Sequence, residues 1–169
     1  MPAPDQAQVA RLLARVWRFL PYRLQWILCW LFNAPFLVGV MGVVVNDRGQ
    51  VLVLNHSYRR GLSWGLPSGW LKPGEWTQAA LFREIEEETG LLVEVGPLLV
   101  AASAITLNRL DIAYLCRLRG GTPHLSHEVL EMRFCEPDAL PEAMYPGQRA
   151  IIQLARVRYP DWFEGGIEK

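Results

Sequence analysis

Cysteine is scarce in this 169-residue chain: Cys29, Cys116 and Cys135 are odd in number, far apart and set in apolar surroundings. Neither a disulfide framework nor a cysteine-built metal site is expected from them; buried free thiols in a reducing cytoplasm fit better. Net charge is lacking too, with 17 basic against 17 acidic side chains, and without a global basic field no specific nucleic-acid partner is expected. There is no internal repeat, and no apolar run with a small-residue cleavage site opens the chain, so a cleaved export signal is not expected. What is present is apolar mass: 51% of the residues are hydrophobic, enough for one sizeable core in a chain with little room for two.

Leu24 to Asn46 lacks any charged residue and is long enough to suggest a membrane span, which needs ~20 apolar residues. Asn33-Ala34-Pro35 interrupts it. The valine-rich half, Phe36 to Val45, is followed by the turn Asn46-Asp47-Arg48-Gly49 and a second run, Val51 to Asn55, and reads as a β-hairpin. Ahead of the break, Asp5 is placed to cap a helix with Val9, Leu12, Leu13, Val16 and Leu20 in a stripe and Arg11, Arg15 and Arg18 elsewhere around it. A second stripe after Pro21 runs Leu24, Ile27, Leu28, Leu31, and Trp17, Trp26 and Trp30 accompany the pair. Residues 1–35 are therefore expected to form a helical extension that packs on its own domain or on a second subunit in a homodimer. Contact with a membrane surface is the less favoured alternative.

From Gly69 to Leu91 the chain reads GWLKPGEWTQAALFREIEEETGL, with Glu84, Glu86, Glu87 and Glu88 beside Arg83. Helical spacing puts Glu84, Glu87 and Glu88 on one face and turns Glu86 away. Such crowding of like charges weakens an isolated helix, whereas convergent carboxylates suit a hard divalent ion such as Mg²⁺. Pro73-Gly74 is turn chemistry, Trp76 to Thr89 is rich in helix formers, and Gly90 ends the helix because glycine adopts the left-handed conformation without strain.

Gly69, Glu75, Arg83, Glu84, Ile85, Glu87, Glu88, Gly90 and Leu91 fill every specified position of G-x5-E-x7-R-E-U-x-E-E-x-G-U, where U is aliphatic, and the segment resembles the Nudix box. The resemblance implies an α/β/α sandwich with a mixed sheet over residues 36–158, followed by a tail, 159–169. It implies Mg²⁺, with Mn²⁺ as a substitute, held by Glu84, Glu87, Glu88 and the Gly69 carbonyl. It further implies that Glu75 and Arg83 pair to brace the loop on the helix, and that a cytoplasmic enzyme hydrolyses a small-molecule nucleoside diphosphate derivative. A Nudix-fold nucleotide sensor without turnover, and an assembly or membrane-surface module built on the N-terminal helices, are the alternatives.

Leu92 to Leu107 and Leu110 to Leu118 read as strands joined by Asn108-Arg109, Val129 to Phe134 as another strand, and Pro146 to Val157 as a closing helix. In the resembled family a glutamate before that helix often orients or deprotonates the attacking water. Glu128 is the first choice for this role, Glu131 the second, and a box glutamate, Glu84 foremost, the remaining possibility. Tyr58, Arg59, Arg60, Trp64 and Trp70 flank the box and are candidates to stack a base or hold a phosphate, with core packing the competing use of the tryptophans.

Gly61-Leu62-Ser63-Trp64-Gly65 satisfies a nucleophile-elbow pattern, but Pro67 and Gly69 follow where a helix is required. His127-Glu128 begins like a zinc-protease helix, yet Glu131 stands in place of the second histidine. The family's run for NADH, its arginine-rich signature for coenzyme A and its downstream proline for ADP-ribose are all missing, so the second moiety of the substrate stays open.

Overall fold

The computed structural model describes residues 6–104 and 108–164 and divides into two compact units after Phe36. The proposed cap Asp5, the end of the strand expected to reach Leu107, and the last five residues of the tail lie outside the described residues.

The first unit is a pair of helices, α1 (Gln6–Phe19) and α2 (Tyr22–Phe32). Pro21 sits at the N-cap of α2, where its fixed φ suits a helix start, and the Gln25 side-chain amide donates to the Trp17 and Leu20 carbonyls at the end of α1. Neither helix buries a residue.

The second unit is built on a seven-stranded mixed sheet: β1 (Leu37–Val45), β2 (Val51–His56), β3 (Trp64–Gly65), β4 (Ser68–Trp70), β5 (Leu91–Ala104), β6 (Arg109–Gly121) and β7 (Val129–Cys135). The order is β3-β2-β1-β6-β5, with β4 also on β1 and β7 also on β2. Helices α3 (Thr77–Thr89) and α4 (Pro146–Arg158) complete it. Strand alternation explains the layers. Val40, Val44, Leu52 and Leu54 join Ala80, Leu81 and Ile85 of α3, whereas Val43, Val45, Val51 and Val53 join Ile152 and Ala155 of α4. A sheet covered on both faces needs near-continuous apolar strands, which is why β1 and β2 read that way. Gly42 lets α3 approach, since a Cβ there would press on Leu81, Ile85 and Cys116. Tyr159, Trp162 and Phe163, assigned from sequence to a tail, pack against the α4-side core.

The expected hairpin forms only at its closed end. Asn46 Oδ1 accepts from the Arg48 and Gln50 amides to shape the turn, and β1 and β2 then meet at Val45 and Val51 alone. Beyond that point β1 takes β4 on this side, with Val40 opposite Gly69, while β2 takes β3, with Leu54 opposite Gly65. On its other side β1 runs parallel to β6 over nine register pairs, from Leu37↔Arg109 to Val45↔Arg117. The fork between β1 and β2 is where the chemistry-bearing residues gather.

Candidate active site

An open cavity of about 1220 Å³ lies at the mouth of the fork. Five carboxylates line it, Glu84, Glu87 and Glu88 from α3, Asp111 from β6 and Glu128 from the turn before β7. Cations face the same space: Arg59 and Arg60 from the β2–β3 connection, Lys72, Arg83 and Arg109.

The box folds as a loop, the helix α3 and the break at Gly90. Arg83 grips Glu75 with two parallel bonds, Nε to Oε1 at 2.8 Å and a terminal nitrogen to Oε2 at 3.0 Å, and the Lys72 amide adds a third at 3.1 Å. These bonds from Arg83 foremost hold the Glu75 carboxyl at about 2, well below the usual range. Arg83 also donates to the Trp70 carbonyl, so one guanidinium ties β4, the following loop and α3 together. Gly90 caps α3 in the left-handed conformation at φ 69°, its amide donating to the Glu86 carbonyl. A side chain at Gly90 would also overlap Thr122 and His124. Gly69 has a comparable reason to be glycine: a Cβ there would occupy the volume of the Glu84 carboxylate.

That closeness at Gly90 matters for Glu128. The His124 amide donates to the Thr89 carbonyl at 2.9 Å and the Ser126 amide to the Glu88 carbonyl at 3.1 Å, so the loop clamps carbonyls that the helix end leaves open. The Ser57 amide then donates to the Glu128 carbonyl at 2.8 Å, fixing the turn against the end of β2. Glu128 therefore reaches the cavity, whereas Glu131, inside β7 opposite Asn55 and paired with Arg133, does not line it.

Glu88 is the buried member of the acidic set, 6% exposed, and its Oε2 has no hydrogen-bond partner. Burial pushes its carboxyl up to about 8, and the neighbouring charges of Glu84 and Glu128 push the same way. An uncompensated buried oxygen amid further carboxylates is a donor set that fits a hard divalent cation. Among the described residues no three of these acids yet face a single point at metal-binding range. Arg83 meanwhile draws Glu84, at 2.7 Å, and Glu87, at 3.2 Å, to itself.

Among the flanking candidates, Tyr58, Arg59, Arg60 and Trp70 line the cavity. Trp64 does not: at 8% exposure it belongs to the α4-side core, with the Arg133 guanidinium over its ring. Its place on β3, paired with Asn55, turns it inward. Ser63, the serine of the elbow pattern, precedes β3 with no helix after it, and His127 and Glu128 form a turn rather than a helix.

Sequence reasoning passed over His56. This side chain ends β2, fully buried, with both ring nitrogens unpartnered and Nδ1 3.9 Å from Glu88 Oε1. Burial, then the nearby Arg59 charge, lowers its pKa to about 4, so it is neutral at pH 7. The signal for it was a histidine directly continuing an apolar strand. Arg109, Asp111, Tyr145 and Gln148 also line the cavity and carried no local motif.

The profile of the NUDIX domain matches residues 35–155. The chain belongs to the Nudix family. It is 32% identical over 107 residues to a MutT-like protein of Streptomyces ambofaciens, covering 63% of this chain and 68% of that one. An RNA pyrophosphohydrolase of Novosphingobium aromaticivorans is 28% identical over 140 residues, covering 69% and 86% respectively. The chain spans about a third of the plant Nudix hydrolases it also matches. The fold matches a Nudix hydrolase crystal structure from Nitrosomonas europaea with a TM-score of 0.69 at 17% identity, over 76% of this chain and 74% of that one. By class this Nudix protein is a diphosphohydrolase, and the family generally uses divalent metal ions.

Proposed function

We propose that this Nudix enzyme hydrolyses the diphosphate linkage of a nucleoside diphosphate joined to a second moiety, working in the cytoplasm with Mg²⁺ or, in its place, Mn²⁺. One observation carries the reading: a single cavity is lined by the four glutamates Glu84, Glu87, Glu88 and Glu128 together with Arg59, Arg60, Lys72 and Arg109. The acids suit a hard cation and the bases suit phosphate oxygens. The three free thiols are in keeping with a reducing compartment.

Glu84, Glu87, Glu88 and the Gly69 carbonyl would hold the metal, which when bound neutralises phosphate charge and acidifies water. Arg59 and Arg60 bind and orient the diphosphate. Trp70, half-exposed on the wall, offers its ring to a base, and Tyr58 offers a second. Glu128 takes the proton of the attacking water. A new P–O bond forms to that water, the bridging P–O bond breaks, and the two phosphate products leave without a covalent enzyme intermediate.

The test is a product-release assay across nucleoside triphosphates, nucleotide sugars, ADP-ribose, dinucleoside polyphosphates, CDP-alcohols and 5′-triphosphate RNA, with Mg²⁺ or Mn²⁺ and with chelator. Turnover of at least one class that chelator abolishes is expected. Tight binding without turnover throughout would instead make the protein a sensor.

A further inference from the structure

The N-terminal unit segregates charge from apolar surface. On α1, Val9, Leu12, Leu13 and Val16 share one face, and Arg11, Arg15 and Arg18 lie on the opposite one. On α2 the only charge is Arg23, and Trp26 and Trp30 are 60% and 74% exposed. From Gln6 to Asn46 there is no acidic residue at all, so the chain's zero net charge conceals a cationic N-terminal unit and an acidic remainder.

An apolar surface of this size needs cover. A second copy docked through the same face would cover the apolar stripe but leave Arg11, Arg15 and Arg18, on the opposite face, with no anionic partner. Crossing a bilayer is excluded for these elements, because no described helix is long and apolar enough, and the 11 residues of α2 rise only about 16 Å. Cationic charge, exposed tryptophans and short amphipathic helices together match one chemistry, the anionic lipid–water interface.

We propose that the N-terminal helices dock this enzyme on an anionic phospholipid surface. The apolar faces enter the acyl boundary, Trp26 and Trp30 sit at the level of the headgroups, and the arginine stems reach lipid phosphates. The proposal stands apart from the identity of the linkage cleaved, since no residue of the cavity takes part.

Flotation of the full-length protein with phosphatidylcholine vesicles, alone or containing phosphatidylglycerol, at low and high salt, tests it, with sedimentation velocity run in parallel without lipid. Flotation with the phosphatidylglycerol vesicles is expected, weakened by salt. Each arginine near such a surface contributes about fivefold in partitioning, so Arg11→Gln, Arg15→Gln and Arg18→Gln together should lower it roughly a hundredfold. Trp26→Ser with Trp30→Ser should weaken binding to both vesicle types. All five side chains lie on helices without a buried residue, so an unchanged melting curve verifies the fold. Failure to float with phosphatidylglycerol vesicles at low salt overturns the proposal. A stable dimer that ignores vesicles overturns it as well, and assigns the face to a second copy.

Discussion

Helix α3 carries four glutamates and an arginine, yet five of its thirteen residues are buried; α2 carries one charge among eleven residues and buries none. Hydrophobicity alone therefore does not decide burial in this molecule. α3 has a partner surface, because Gly42 opens the sheet to Leu81 and Ile85, and its charged side is committed to the Arg83 network and the cavity. α2 is mostly apolar, yet none of its residues is buried. The contrast shows where this chain is self-sufficient and where it calls for something outside itself.

The largest effect that would sharpen the contrast is on rate. Glu87→Gln or Glu88→Gln should lower kcat by a factor of ~10² to 10³, the equivalent of ~3–4 kcal/mol of lost electrostatic contact, while the fold survives. Wild-type turnover from either variant would remove the metal assignment and make α3 an ordinary amphipathic helix. Glu128→Gln should lower kcat more than it changes KM, and more than Glu131→Gln does. The opposite order would transfer the base to β7.

Next come paired truncations. Ile85→Ala empties a fully buried site against β1 and should cost about 2–5 kcal/mol in urea unfolding, whereas Ile27→Ala on α2 should stay within about 0.5 kcal/mol. Equal losses would mean that α2 is packed after all, and the contrast with α3 would fail.

The smallest effect is on the pH profile of the metal-free enzyme. Glu88 binds its proton more tightly folded, at about 8, than unfolded, near 4.5, so its contribution to stability is full below 4.5 and is lost as pH rises through 8. His56 acts oppositely: its pKa falls from 6.5 to about 4, so stability is gained as pH rises through that window. The two oppose one another from 4.5 to 6.5, and only Glu88 remains between 6.5 and 8. Tm should fall across that upper window in the presence of chelator, and Glu88→Gln should flatten it. At the acid end the Glu75–Arg83 pair stabilises above 4.5 and fades as pH drops to about 2, so Arg83→Met should differ from wild type less at pH 2 than at pH 6.

How much of this was readable beforehand follows from the range of the interactions. The acidic helix and its Gly90 cap lie within one local stretch, where propensity, charge spacing and turn chemistry agree, while the Glu75–Arg83 brace was expected only from the family resemblance. The β1–β2 hairpin was legible only at its turn. The parallel pairing of β1 with β6 joins residues more than seventy positions apart, and no local pattern encodes it. Trp64 misled because a large aromatic beside the box suits core and ligand equally, and its side was settled by pairing with β2. Arg109, Asp111, Tyr145 and Gln148 reach the cavity through the same distant pairings and helix placement.

The amides of His124 and Ser126 that close the last turn of α3 also have a kinetic meaning. Helix ends ordinarily fray, and here fraying would release the two carbonyls that hold the 124–128 loop in place. Unwinding of that turn and withdrawal of the Glu128 carboxylate thus become one event. On the proposed roles of Glu88 and Glu128, a metal carboxylate and the base beside it would leave or enter the cavity together, and partly opened molecules would be silent rather than slow. The protection of the His124 and Ser126 amides against exchange would then report directly on the fraction of enzyme competent for reaction at any instant.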